Sequence, residues 1–166
     1  TSQYEWVLFW GSDDLAFDSF TIERIINDLS LFNYKQPDLV FYSGCYFDPV
    51  TRHIHRRSSF IPEGSLSAFF FRISLFLGFS PVHQATLFGV GARSLLSSYN
   101  LVFYLASDLN YFLTISTFPS LRIFSSQFPI VSMSSAGVSG KYTFRRLSEV
   151  IKAYWSSFGI LSFCPF

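Results

Sequence analysis

Two apolar runs separated by a segment of helical period constrain this chain more than any other feature. YEWVLFW (4–10) is dense in aromatic and β-branched residues and predicts a buried strand. FTIERIINDLSLF (20–32) places Ile22, Ile25, Ile26 and Leu29 on one helical face. Asp18 or Ser19 can cap that helix, and Glu23 sits in its first turn. QPDLVFYSG (36–44) then predicts a proline turn and a second strand. A helix between two strands is a crossover connection, so the strands are expected to run parallel. The fold class is therefore α/β.

The remaining chain is less regular. CYFDPVTRHIHRRSSFIPEG (45–64) holds two prolines and a basic cluster, and predicts irregular structure. Residues 65–79 predict an apolar helix with Arg72 turned to the surface, and 80–99 give only helical fragments. NLVFYLAS (100–107), YFLTISTF (111–118) and FPIVSMSS (128–135) predict antiparallel strands joined by short turns. In RRLSEVIKAYWSSF (145–158), Leu147, Val150, Ile151, Tyr154 and Phe158 share one helical face, and GILSF (159–163) predicts a last strand. No internal repeat interrupts this order. It divides into residues 1–99, a strand–helix–strand unit with a helical extension, and residues 100–166.

Composition narrows the function classes. Of 166 residues, 49% are hydrophobic, 22 are Phe and only 14% are charged, so the chain is expected to bury surface against partners. Abundant Phe, Ser and Leu with little Lys or Asn suggests a thymine-rich coding strand, hence an organellar gene. LSAFFFRISLFLGF (66–79) is too short to span hydrocarbon and is broken by Arg72, so no membrane span is expected. No secretory leader pattern opens the sequence, which does not begin with Met; a processed or partial chain is one reading of that. Cys45 and Cys164 lack metal-ligand spacing, which argues against zinc and against a disulfide-built secreted domain. Residues 1–50 carry two basic and eight acidic side chains, whereas 51–166 carry ten basic and three acidic ones. The basic remainder is expected to face phosphate or an acidic partner.

One stretch within that remainder has the chemistry for phosphate: SSAGVSGKYTFRR (134–146). It is not a nucleotide-binding P-loop. Gly140-Lys141 is present, but Ser135 stands where the first glycine must be, and Tyr142 replaces the hydroxyl residue that holds magnesium. A glycine turn that starts a helix, with Arg145 and Arg146 simply solvated, is the plain alternative. Nucleic-acid phosphate fits better, because glycine lets backbone N–H groups approach and the helix N-terminus favours an anion. Arg145 and Arg146 can take phosphate oxygens, while Tyr142 or Phe144 can stack on a base. Other chemistry is weaker. Asp13, Asp14, Asp18 and Asp48 could hold magnesium but more commonly cap helices and solvate loops. His53 and His55 lack a third ligand, and His83 and Cys45 lack a legible catalytic partner. With no nucleophile elbow and no dinucleotide fingerprint, no enzyme, cofactor or metal is expected.

The order of strands, SSAGVSG, an arginine pair and a helix resembles the universal small-subunit ribosomal protein S-eleven family over about residues 111–163. In that family a β-hairpin ends in S-S-A-G-x-x-G-F-K-G-x-R-R-x-T-P and runs into a helix. Ser134, Ser135, Ala136, Gly137, Gly140, Arg145 and Arg146 fall on its positions without gaps, and LTISTF (113–118) resembles its first strand. Lys141-Tyr142-Thr143 and Glu149 depart from it, and Pro119-Ser120-Leu121 replaces the Asn-Asn-Thr that follows its first strand. The resemblance implies a mixed sheet with antiparallel hairpin strands, a ribonuclease-H-like motif and packed helices. It also implies a structural constituent of the small ribosomal subunit, with rRNA and neighbouring ribosomal proteins as partners and a mitochondrial location. The RNA-binding residues would be Ser134, Ser135, Gly137, Gly140, Lys141, Tyr142, Arg145 and Arg146, joined by Arg52, Arg56 and Arg57 of the other basic cluster.

The family continues past GILSF through another strand and helix, which predicts one of two completions. Either the 4–44 unit folds beside 111–135, or a second chain pairs with GILSF. A non-catalytic subunit of another organellar assembly, such as a respiratory complex, is the alternative function.

Overall fold

The computed structural model describes residues 5–32, 36–48, 50–51, 53–60, 63–134 and 142–163. Its elements run β1 (Trp6–Leu8), β2 (Leu15–Ala16), α1 (Thr21–Ser30), β3 (Leu39–Phe47), β4 (Ile54–Ser58), β5 (Gly64–Ser67) and α2 (Ala68–Phe76). A 3₁₀ turn (His83–Ala85) leads to β6 (Thr86–Gly89), α3 (Val90–Leu95), α4 (Ser107–Ile115), β7 (Arg122–Ser134), α5 (Thr143–Phe158) and a 3₁₀ turn (Gly159–Phe163).

The strands form one curled, mixed sheet built on a long parallel pair, β3 and β7. The pair starts where the buried Asp38 carboxylate accepts the Arg122 backbone N–H at 2.8 Å and its Nη2 at 2.8 Å. Midway, Pro129 has no N–H to give the ladder, and the register shifts on either side of its partner Ser43. The Ser43 hydroxyl donates to the Gln127 carbonyl at 2.7 Å across that irregularity. Each outer side of the pair is shared by two short strands. β6 and then β4 border β3, while β5 and β2 border β7.

Strand β3 is buried on both faces, as its mostly apolar sequence, broken only at Ser43 and Gly44, leads one to expect. Leu39 and Phe41 enter a core with Phe71 and Leu75 of α2, Phe112 and Ile115 of α4, and Ala153 of α5. Val40 and Tyr42 point the other way, into a smaller cluster with Ile25 of α1 and Ile130 of β7. The result is a three-layer α/β arrangement with α1 alone on one face.

The strand–helix–strand unit has the parallel strands its crossover predicts, but β6 lies between them, antiparallel to both. The basic segment expected to be irregular instead extends β3 to Phe47 and returns as β4, an edge strand. Arginines suit that edge because they discourage further pairing. Residues 65–67 close β5, and Ser67 caps α2 by accepting the Phe70 N–H at 3.1 Å.

Four further expectations are overturned. Residues 100–118 are not strands: 107–115 is α4, so LTISTF lies at a helix end and in a turn. Tyr111, Phe112, Leu113 and Ile115 are all buried, and a segment enclosed on most sides shows no period that separates strand from helix. Residues 122–134 are a single strand paired in parallel with β3, so the described residues hold no antiparallel hairpin there. GILSF is a 3₁₀ turn, leaving no strand there for a second chain to join. Finally, α5 buries Ala153 and Tyr154 and half-buries Val150 and Phe158, while Leu147 and Ile151 face outward.

Candidate functional site

Two basic segments that are far apart in sequence border the same end of the sheet. Cα partners run in rows across β4, β3 and β7: Arg57 beside Cys45 beside Ser132, then Arg56 beside Tyr46 beside Met133. The last row joins Ile54, Phe47 and Ser134. Arg56 and Arg57 are exposed, and Ser134 is the final residue of β7. The chain re-enters the described structure at Tyr142, which is exposed and immediately precedes α5. Of the sequence-predicted residues, Arg52, Ser135, Gly137, Gly140 and Lys141 lie outside the described residues.

The two arginines of the motif have different surroundings. Arg145 donates from Nε to Glu149 Oε1 at 3.1 Å, and its guanidinium sits 5.0 Å from the centre of the Tyr104 ring. It is thus held against its own protein, although its side chain remains 61% exposed. Arg146 is exposed, and its guanidinium has no partner among the described residues. It lines a cleft of about 240 Å³ with Tyr46 of β3 and Ser58 of β4. That cleft joins the start of α5 to the arginine-bearing end of the sheet.

Glu149 fixes this geometry. Its Oε2 accepts the backbone N–H groups of Tyr104, Leu105 and Ala106 at 2.9, 2.6 and 3.1 Å, at the N-terminus of α4. Burial works to raise its carboxyl, but the hydrogen bonds from Leu105, Arg145, Ala106 and Tyr104 outweigh it and hold the group below the usual carboxylate range. Nothing local in the sequence signals this contact. Glu149 is visible there only as a departure from the proline that opens the family's helix.

The cleft's lining is mainly polar, with Val82, Ala106 and Val150 among its apolar members. His83 stands in its wall, its Nε2 2.6 Å from the Tyr99 hydroxyl and its ring stacked on Phe9. Burial pushes the His83 imidazole below its ordinary value, with Asp108 working against that, so the ring is neutral near pH 7. Sequence reasoning finds no partner for His83 because Tyr99 is sixteen residues away and nothing local marks the pair.

The candidate acidic site resolves into turns. Asp14 Oδ2 accepts the Gly11 N–H, Asp18 Oδ1 accepts the Phe20 N–H, and Asp48 Oδ1 accepts those of Val50 and Thr51. Among the described residues no group of three or more His, Cys, Asp or Glu side chains could hold a metal ion. His53 is exposed, the side chain of His55 lies outside the described residues, and Cys45 is buried. Among the described residues no helix is long and apolar enough to cross a membrane.

No protein-family model matches the chain, and no curated protein matches it.

Proposed function

We propose that this chain is a non-catalytic structural constituent of a mitochondrial small ribosomal subunit, of the S-eleven kind, that holds rRNA at the β4 end of its sheet. One observation carries the reading: Arg56 and Arg57, on the edge strand β4, lie two strands from the end of β7, and Arg146 reaches the same end from α5. Arg56 and Arg57, consecutive on a strand, project to opposite faces of its edge. Cations from separate segments at one end of a sheet suit a phosphate backbone, which needs several contacts at once to bind. Arg145 contributes less, because Glu149 already holds it. The family resemblance is kept for the order strand, Gly-rich segment, basic helix over 122–158; the hairpin that should precede it is not part of the support.

A second observation favours protein neighbours. Phe144, Leu147, Ile151 and Trp155 recur at helical spacing along α5 and are all more than half exposed. Within a ribosome this stripe would meet an adjacent protein. In another organellar assembly it would serve equally well, with no RNA involved.

The test is salt dependence. RNA crosslinked to the chain should map to the small-subunit rRNA, and binding to that RNA should weaken linearly in log–log form as salt rises. Arg56→Ala with Arg57→Ala, and separately Arg146→Ala, should each lower affinity and flatten that slope by about one for every phosphate no longer neutralised. Unchanged slopes would mean that these arginines face protein or solvent.

A further inference from the structure

We infer that the cleft between α5, the start of α4 and the ends of β3 and β4 takes a single unstacked guanine base from the bound RNA. The inference rests on the RNA-binding reading and deepens it. Several polar groups in the lining are uncommitted. The Tyr46 hydroxyl, the Ser58 hydroxyl, the Gln84 side-chain amide and the Arg146 guanidinium have no hydrogen-bond partner among the described residues. Asp108 commits one oxygen to the Leu109 N–H at 2.8 Å and leaves the other free. The lining is mainly polar, which suits a base read by hydrogen bonds more than an apolar ligand.

Size and chemistry then select the occupant. At about 240 Å³ the cleft falls below the roughly 300–1,000 Å³ of sites for drug-sized ligands, so it suits one base rather than a whole nucleotide. Single-stranded RNA is read by splaying such bases out and hydrogen-bonding their Watson–Crick edges. Asp108 decides which base. A carboxylate only accepts hydrogen bonds, and guanine alone presents two adjacent donors, N1–H and the N2 amino group, on that edge. Adenine and cytosine set an acceptor beside their amino group, and uracil flanks its single N–H with two carbonyls, so each would turn a lone pair toward Asp108. Gln84 can donate to guanine O6 from the same lining, and Arg146 can hold the phosphate of the extruded nucleotide.

The experiment compares short oligouridines that carry one central G, A or C with oligouridine itself, using fluorescence anisotropy and the intact chain. The G-containing probe should bind about tenfold more tightly than the others. Asp108→Asn, nearly isosteric, should erase that preference while leaving the salt slope intact, and Gln84→Ala should weaken it. Arg146→Ala should lower affinity for every probe alike. Circular dichroism confirms that each variant is folded. Salt-dependent binding without a guanine preference, or a preference that survives Asp108→Asn, would overturn the base site while leaving the RNA reading standing. Failure of every probe to bind, together with no crosslinked rRNA, would overturn both.

Discussion

Glu149→Ala is expected to destabilise the chain by about 3–5 kcal/mol, seen as a lowered urea midpoint. The substitution strips three backbone N–H groups of their shared acceptor and leaves the Arg145 guanidinium without its carboxylate. Glu149→Gln keeps the shape and one acceptor oxygen but turns an amide N–H₂ toward Arg145. It should cost less, about 1–3 kcal/mol.

The pH dependence follows from the sign of the shift. The folded carboxyl lies below its unfolded value, so its stabilisation is fully present above the ordinary glutamate range near about 4.3 and is lost as pH falls through the folded value. The gap between wild type and Glu149→Gln should therefore be constant from neutral pH down to about pH 5 and shrink below it. Two variants within about 0.5 kcal/mol of wild type would show that the bonds to the α4 N-terminus contribute nothing.

Arg72→Met is expected to cost about 2–4 kcal/mol, with Arg72→Lys recovering only part of it. Its helical position predicts a surface side chain, but Arg72 points inward. Its Nη1 donates to the Leu113 carbonyl and the Ser116 hydroxyl at 3.3 and 3.2 Å, and its Nη2 to the Ser157 carbonyl at 2.9 Å. Those acceptors lie at the C-terminal ends of α4 and α5, where unpaired carbonyls carry partial negative charge. One guanidinium, 4.7 Å from the centre of the Phe158 ring, thus ties α2 to both helix ends. Lysine is a point charge and cannot span three acceptors in a fixed plane. Hydrogen exchange should show the last turn of α5 opening first in Arg72→Met; protection equal to wild type would contradict this role.

Both residues defeat sequence reasoning for the same reason. On a helical wheel, a charge inside an apolar run looks like the solvent side, because water is the usual partner of a charge. Arg72 and Glu149 are instead matched to helix ends contributed by segments more than forty residues away. No local pattern records that match. The α5 faces are confused similarly. The helix has an apolar inner face around Val150 and Tyr154 and an adjoining apolar outer stripe, and periodicity alone merges the two.

The sequence by itself determined that β1, α1, β3 and α5 exist, the α/β class, and the crossover that makes β1 and β3 parallel. It did not determine which helix faces are buried: Ile22 and Ile26, expected on the α1 face with Ile25, are exposed. It also placed basic residues in two segments, 52–57 and 141–146. Tertiary structure alone decided the rest. A run such as YFLTISTF has strong β propensity, yet its first five residues became the end of a helix because its apolar residues are enclosed by α2, α5 and the sheet, and burial on that scale outweighs a propensity of about 1 kcal/mol. β6 entered between β1 and β3 because only long-range pairing gives four buried residues a place. The position of Arg56 and Arg57 at the sheet end that Arg146 borders likewise depends on register between β4, β3 and β7. Hydrogen bonds across the sheet set that register, and no single segment contains it.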